Sequence, residues 1–271
     1  MIIIYGYFRT GTTMIYKQII DCNPDIIALY EPDHTELMQR LRIRDYKEPH
    51  QPYRDFNPFD HYFRSPHLDR IKKTYVLDPC PYTIYPQLHE YISTVIMASH
   101  VIKVNRWAFI LPAIMRMYPG TLLVIVKRNI VDVVNSHLNV YYKTRDENVF
   151  DNLKYYQKLK EHIKDGFVAK TVAERVVYNF IKSYRYLLGQ IADFMDRVMI
   201  IDYNDLKHRA AWKLLENFTG LNMTCKEIYT KTTTPRVVRN PAEIYNIINL
   251  SLIHISEPTR PRLISYAVFC L

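Results

Sequence analysis

The opening residues MIIIYGYFRTGTTMIYKQII constrain the fold more than any other stretch of the chain. Ile2, Ile3 and Ile4 form a short β-branched run that Gly6 breaks. Gly11-Thr12-Thr13 then opens an apolar-periodic stretch through Met14, Ile15, Ile19 and Ile20. The pattern is a buried strand, a tight loop and a helix. A junction of this kind turns backbone N–H groups and the positive end of a helix toward one point, which suits a phosphate.

Against the phosphate-loop pattern G-x-x-x-x-G-K-[ST], the segment Gly6-Tyr7-Phe8-Arg9-Thr10-Gly11-Thr12-Thr13 keeps both glycines and the final Thr, with Thr12 where the Lys belongs. The missing cation returns as Arg9. The lost Lys ordinarily reaches the β- and γ-phosphates beside a Mg²⁺ ion. A nucleotide with one 5′-phosphate and a singly charged transferable group needs less cation, so a relocated Arg and two hydroxyls suffice.

A second segment points the same way. His100 to Lys103 and Gly120 to Arg128 read as two further buried strands. Asn129 to Tyr142 reads as a helix with Ile130, Val133, Val134 and Leu138 on its apolar face. Arg128 then stands where a strand ends and a helix begins, with Ser136 about two turns on. Here the chain resembles the sulfotransferases that use 3′-phosphoadenosine 5′-phosphosulfate. Their motif P-[RK]-S-G-T-T is matched by Phe8-Arg9-Thr10-Gly11-Thr12-Thr13. Their motif R-D-P-R-D-V-V-x-S is matched by Arg128 to Ser136, which keeps the Arg-to-Ser spacing but loses the first Asp, the Pro and the second Arg. Val198 to Leu206 is similar to the family's late strand and Y-E-D-L turn, and a helix runs on to Gly220-Leu221.

The resemblance covers most of residues 1–221. It implies a P-loop NTPase-like sulfotransferase fold, in which Arg9, Thr10, Gly11, Thr12 and Thr13 hold the 5′-phosphosulfate and Arg128 and Ser136 hold the 3′-phosphate. Arg236 and Arg239 occupy the place where family members close a basic loop over the 3′-phosphate, although the usual R-K-G signature is absent. Cytosolic relatives carry a His two residues after a strand-end Lys, but Lys103-Val104-Asn105 puts an amide there. The base expected instead is Glu31, in Tyr30-Glu31-Pro32, the position at which carbohydrate and tyrosyl relatives carry a Glu. His34 is its rival.

The residues themselves support the same architecture. Strands separated by helices predict an α/β fold with three α/β/α layers, a central parallel sheet, and ligands outside the carboxyl ends of the strands. Arg9, Glu31, Lys103 and Arg128 all fall just past predicted strand ends, as a shared site demands. Glu147 to Lys164 and Val168 to Met195 read as amphipathic helices covering the sheet. Residues 47–86 show no clear period and are expected to cross the active-site face as an irregular excursion bearing acceptor-selecting aromatics.

Lysine and arginine outnumber Asp and Glu by 36 to 27, giving a formal charge of +9. That favours anionic ligands, but the cations are dispersed and no Lys/Arg run marks a nucleic-acid tail. Cys22, Cys80, Cys225 and Cys270 lack ligand-like spacing, so neither a metal site nor a disulfide is expected. No apolar run reaches the ~20 residues of a membrane span, and strand residues follow Met1 at once, so no signal peptide is expected. The expectation is a cytoplasmic enzyme with a small-molecule or carbohydrate acceptor, 3′-phosphoadenosine 5′-phosphosulfate as co-substrate and no metal.

Residues 1–249 read as a single domain. The tail 250–271 resembles the translation of a transposon-type sequencing adaptor, as in an assembled environmental sequence, and carries no functional expectation. Two other classes share these features, namely a Mg-dependent phosphate-loop kinase or NTPase and a non-catalytic nucleotide- or polyanion-binding protein.

Overall fold

Four β-branched and aromatic residues, Ile2–Tyr5, form the central strand β1, and all four are buried. The computed structural model describes residues 1–26, 28–30, 86–97, 99–147, 152–225 and 245–246. Within them β1 leads to helix α1 (Thr12–Cys22), strand β2 (Ala28–Tyr30), α2 (Pro86–Met97), β3 (Val101–Val104), α3 (Leu111–Met117) and β4 (Leu122–Lys127). Then come α4 (Ile130–Thr144), α5 (Asn152–Ile163), α6 (Val172–Gln190), a 3₁₀ turn at Ala192–Arg197, β5 (Val198–Asp202), a 3₁₀ turn at Asp205–Lys207 and α7 (Arg209–Thr219).

Among the described residues the sheet has five strands in the order β2-β3-β1-β4-β5, and every pairing is parallel. Successive residues of a strand face opposite sides. In β1, Ile3 and Tyr5 join one core with α2 to α6, while Ile2 and Ile4 join another with Met14, Ile15 and Ile19 of α1 and Trp212 and Leu215 of α7. The sheet is therefore covered on both faces. Burial on both sides explains why its strands read as unbroken apolar runs rather than alternating ones.

Local chemistry sets the helix limits. Asn129 caps α4 through its side-chain oxygen, which accepts from the Val131 amide at 2.9 Å. Thr171 and Glu174 form a reciprocal capping box that starts α6 at Val172, later than the Val168 expected from periodicity. The same helix stops at Gln190, and the chain tightens into a 3₁₀ turn where a continuous helix to Met195 was expected. Ahead of α6, Asp165 receives Lys160, Lys182, the Tyr178 hydroxyl and the Phe167 amide. Those donors hold its carboxyl down at about 2 against the opposing effect of burial.

The cysteines require a correction. Cys22, at the last turn of α1, is disulfide-bonded to Cys225, 203 residues away. Local spacing carries no trace of such a pair, because the chain after α7 lies beside α1 only through the tertiary fold. Hydrogen bonds continue the same seam: Gln18 donates to the Met223 carbonyl at 2.8 Å and Asn23 to the Asn222 carbonyl at 2.6 Å. Disulfides persist in oxidising surroundings and are rare in reducing ones. Among the described residues no helix is long and apolar enough to cross a membrane.

Candidate active site

The parallel sheet ends all its strands at one edge, and β1 delivers the loop 6–11 to the middle of that edge between β3 and β4. The loop folds over itself. Thr10 donates its hydroxyl to the Tyr7 carbonyl at 2.7 Å and is fully buried, so its side chain serves the loop's shape. Both glycines are sterically required. A Cβ on Gly6 would stand 2.3 Å from the Thr10 hydroxyl, and one on Gly11, at φ +105°, 2.2 Å from the Tyr203 ring. Helix α1 starts directly after Gly11 with no side-chain cap and no acidic residue in its first turn, leaving its positive end without a built-in anion.

Arg9 has a left-handed backbone, φ 71°, and an exposed side chain. Its Nε donates to the Ser136 hydroxyl at 2.8 Å, and its carbonyl accepts from Arg128 Nη1 at 3.0 Å. Three residues singled out in the sequence thus meet, although Arg9 and Ser136 are 127 positions apart. Arg128 lies with its guanidinium 4.4 Å from the Tyr203 ring centroid and 3.7 Å from the Asp132 carboxylate. Tyr203 is anchored by its own amide, which donates to the Lys127 carbonyl at 2.8 Å. It presses on Gly11 with one part of its ring and supports Arg128 with its face, a role that its place in the turn after β5 did not reveal.

Lys103 lies inside β3 and not just past its end, because the ladder to β1 continues to Tyr5 opposite Val104. Its side chain is buried. Asn105, at the position where cytosolic relatives carry a His, is also buried, and its side-chain oxygen accepts the Thr12 hydroxyl at 3.4 Å. Beneath the loop His137 stacks on Tyr7 with ring centroids 5.7 Å apart. Burial pushes its pKa down to about 4, the Val133 carbonyl opposes that shift, and the Arg9 charge adds to it. The imidazole is therefore neutral near pH 7. Glu31, His34, Arg236 and Arg239 lie outside the described residues. Among the described residues no group of three or more His, Cys, Asp or Glu is placed to hold a metal ion.

The sequence profile of the sulfotransferase family matches residues 2–211, a span that includes the loop, Arg128, Ser136 and Tyr203. The chain belongs to the sulfotransferase family. Solved structures similar to this sulfotransferase include one from Alicyclobacillus acidocaldarius, at 15% identity over 94% of this chain and 93% of that one, with a TM-score of 0.45. The sulfotransferase domain of the curacin biosynthetic pathway is 11% identical over 82% of this chain and 74% of its own, also at 0.45. Sulfotransferase STF1 from Mycobacterium tuberculosis is 15% identical over 91% and 75%, again at 0.45. Among curated proteins none matches this chain.

Proposed function

We propose that this sulfotransferase moves a sulfuryl group from 3′-phosphoadenosine 5′-phosphosulfate to an acceptor hydroxyl on a carbohydrate, a tyrosine or a small molecule. The observation that carries the reading is the junction of Arg9, Ser136 and Arg128 beside the uncapped start of α1. Two permanent cations and a helix N-terminus at one strand edge suit a ligand with two separate anionic groups.

In this reading the amides of residues 9–13, with Arg9, Thr12 and Thr13, receive the 5′-phosphosulfate, and Arg128 and Ser136 receive the 3′-phosphate. Lys103 adds positive charge below the donor. The acceptor oxygen attacks sulfur and the bond from sulfur to the bridging phosphate oxygen breaks. Its electron pair stays on the leaving 3′-phosphoadenosine 5′-phosphate. Arg9 then lies where that charge develops, and a preorganised cation there lowers the barrier without costly rearrangement. Glu31 takes the acceptor proton, with His34 as the alternative base. Arg236 and Arg239 close over the 3′-phosphate, and residues 1–249 act as one domain.

Calorimetric titration tests the reading. The protein is expected to bind 3′-phosphoadenosine 5′-phosphate more tightly than adenosine 5′-phosphate. Arg128→Ala should erase most of that difference, a loss of roughly 2–4 kcal/mol for a desolvated charge pair. Equal affinity for the two nucleotides in the wild-type protein refutes it.

A further inference from the structure

The edge where β1 gives way to the loop contains a substitution in the hydrogen-bond ladder. Met1 accepts from the Leu122 amide at 2.8 Å, and the register then keeps step to Tyr5 opposite Ile125. In a parallel ladder alternate residues of one strand bond the same neighbour, so residues 1, 3 and 5 of β1 face β4. The next rung of that series runs from the Tyr7 amide to the Val126 carbonyl. The rung is occupied by a side chain. The Tyr184 hydroxyl, from α6 and wholly buried, accepts the Tyr7 N–H at 3.2 Å and donates to the Val126 carbonyl at 2.6 Å.

The consequence is geometric and electrostatic. A direct rung would draw the two groups to about 2.9 Å, whereas an interposed hydroxyl keeps them apart by the width of an oxygen atom. Everything beyond this point belongs to the site: the loop 6–11 follows Tyr7, and Arg128 follows Val126 by two residues. The Val126 carbonyl also faces the loop, lying 2.9 Å from where a Cβ on Gly6 would stand. By donating its O–H to this carbonyl, Tyr184 satisfies an acceptor that faces the loop. The ring is fixed in place by Tyr5 and Phe180, with centroids 5.9 and 4.7 Å away.

We propose that Tyr184 is a positioning residue for the nucleotide, its hydroxyl holding the phosphate loop apart from β4 so that the loop and Arg128 are spaced to take the two phosphate groups of one ligand. The inference rests on the nucleotide reading above. Tyr184→Phe removes the spacer but keeps the ring, and lets the Tyr7 amide close on the Val126 carbonyl. The matched control is Tyr155→Phe, which removes an equally buried hydroxyl bonded to Ser183 at 2.9 Å in the same helical layer.

Each protein is titrated with 3′-phosphoadenosine 5′-phosphate by calorimetry and melted by calorimetric scanning, and donor and acceptor KM are measured separately. Both variants should lose some thermal stability. Only Tyr184→Phe should bind the nucleotide at least tenfold more weakly and raise the donor KM, with the acceptor KM unchanged. Nucleotide affinity within twofold of wild type in Tyr184→Phe, or the same loss in Tyr155→Phe, overturns the inference. Should Tyr184→Phe fail to fold, 4-fluorophenylalanine in place of Tyr184 fills the same gap with a fluorine atom and should keep nucleotide affinity near that of the wild type; a tenfold loss there overturns the spacing role as well. Absence of binding by the wild-type protein refutes the nucleotide reading, and the spacer assignment falls with it. Wild-type binding combined with an unaffected Tyr184→Phe refutes the spacer alone.

Discussion

Replacing Gly11 by Ala tests the packing of the site, because two distinct costs meet at that residue. The first is conformational: at φ +105° a side chain is strained, at roughly 1–3 kcal/mol. The second is steric, since the new Cβ would stand 2.2 Å from the Tyr203 ring, and forced displacement in packed structure costs about 1–3 kcal/mol. Together they predict about 2–6 kcal/mol. At about 2–4 °C per kcal/mol for a chain of this size, the midpoint should fall by roughly 4–24 °C. Displacing Tyr203 also removes the surface under the Arg128 guanidinium, 4.4 Å away. A cation–π contact of ~0.5–2 kcal/mol corresponds to roughly 2- to 30-fold weaker nucleotide binding.

Two other glycines separate the effects. Gly220 has φ +72° with nothing near its missing Cβ, so Gly220→Ala should show strain without the clash, about 1–2 kcal/mol. Gly120 has neither, and Gly120→Ala should leave stability within about 0.5 kcal/mol of wild type. Differential scanning calorimetry with nucleotide titration reads all three. If Gly11→Ala melts and binds like Gly120→Ala, the packing of Tyr203 between the loop and Arg128 is refuted.

Glu31→Gln should lower turnover by ~10²–10⁴-fold with nucleotide affinity nearly unchanged, as expected on losing a general base; full turnover in that variant together with loss in His34→Ala transfers the role to His34. Stability should depend on pH through His137, whose folded pKa of about 4 lies below the ordinary value of 6.5. The unfolded chain binds the proton first, so this contribution is complete above pH 6.5 and is lost as pH falls to 4. It amounts to about 3 kcal/mol in urea unfolding, and His137→Phe should flatten that slope. Non-reducing thiol titration of the unfolded protein should find two of the four cysteines blocked, and reduction should cost up to about 5 kcal/mol for a loop of this length; four free thiols refute the pairing. Deleting residues 250–271 should leave the melting temperature unchanged, and a marked fall would show that the tail is part of the folded domain.

Local pattern by itself determined the strand, loop and helix at the start of the chain, the parallel α/β class and the placing of Arg128 at a strand end. These depend on hydrophobic period, glycine and capping residues, all of which act within a few positions. Lys103 was misjudged by a short step, since only the pairing of Tyr5 with Val104 extends β3 past it. Tertiary structure alone decided which distant groups meet. The strand order brings Arg9 to Ser136 and Arg128, and the crossing of α6 under the sheet puts the Tyr184 hydroxyl into a rung between β1 and β4. Packing α7 beside α1 joins Cys22 to Cys225. A buried tyrosine, a lone asparagine after a strand and two cysteines far apart each look ordinary in one dimension. Their chemistry arises from neighbours that the assembled fold supplies, and no local periodicity encodes a contact made across it.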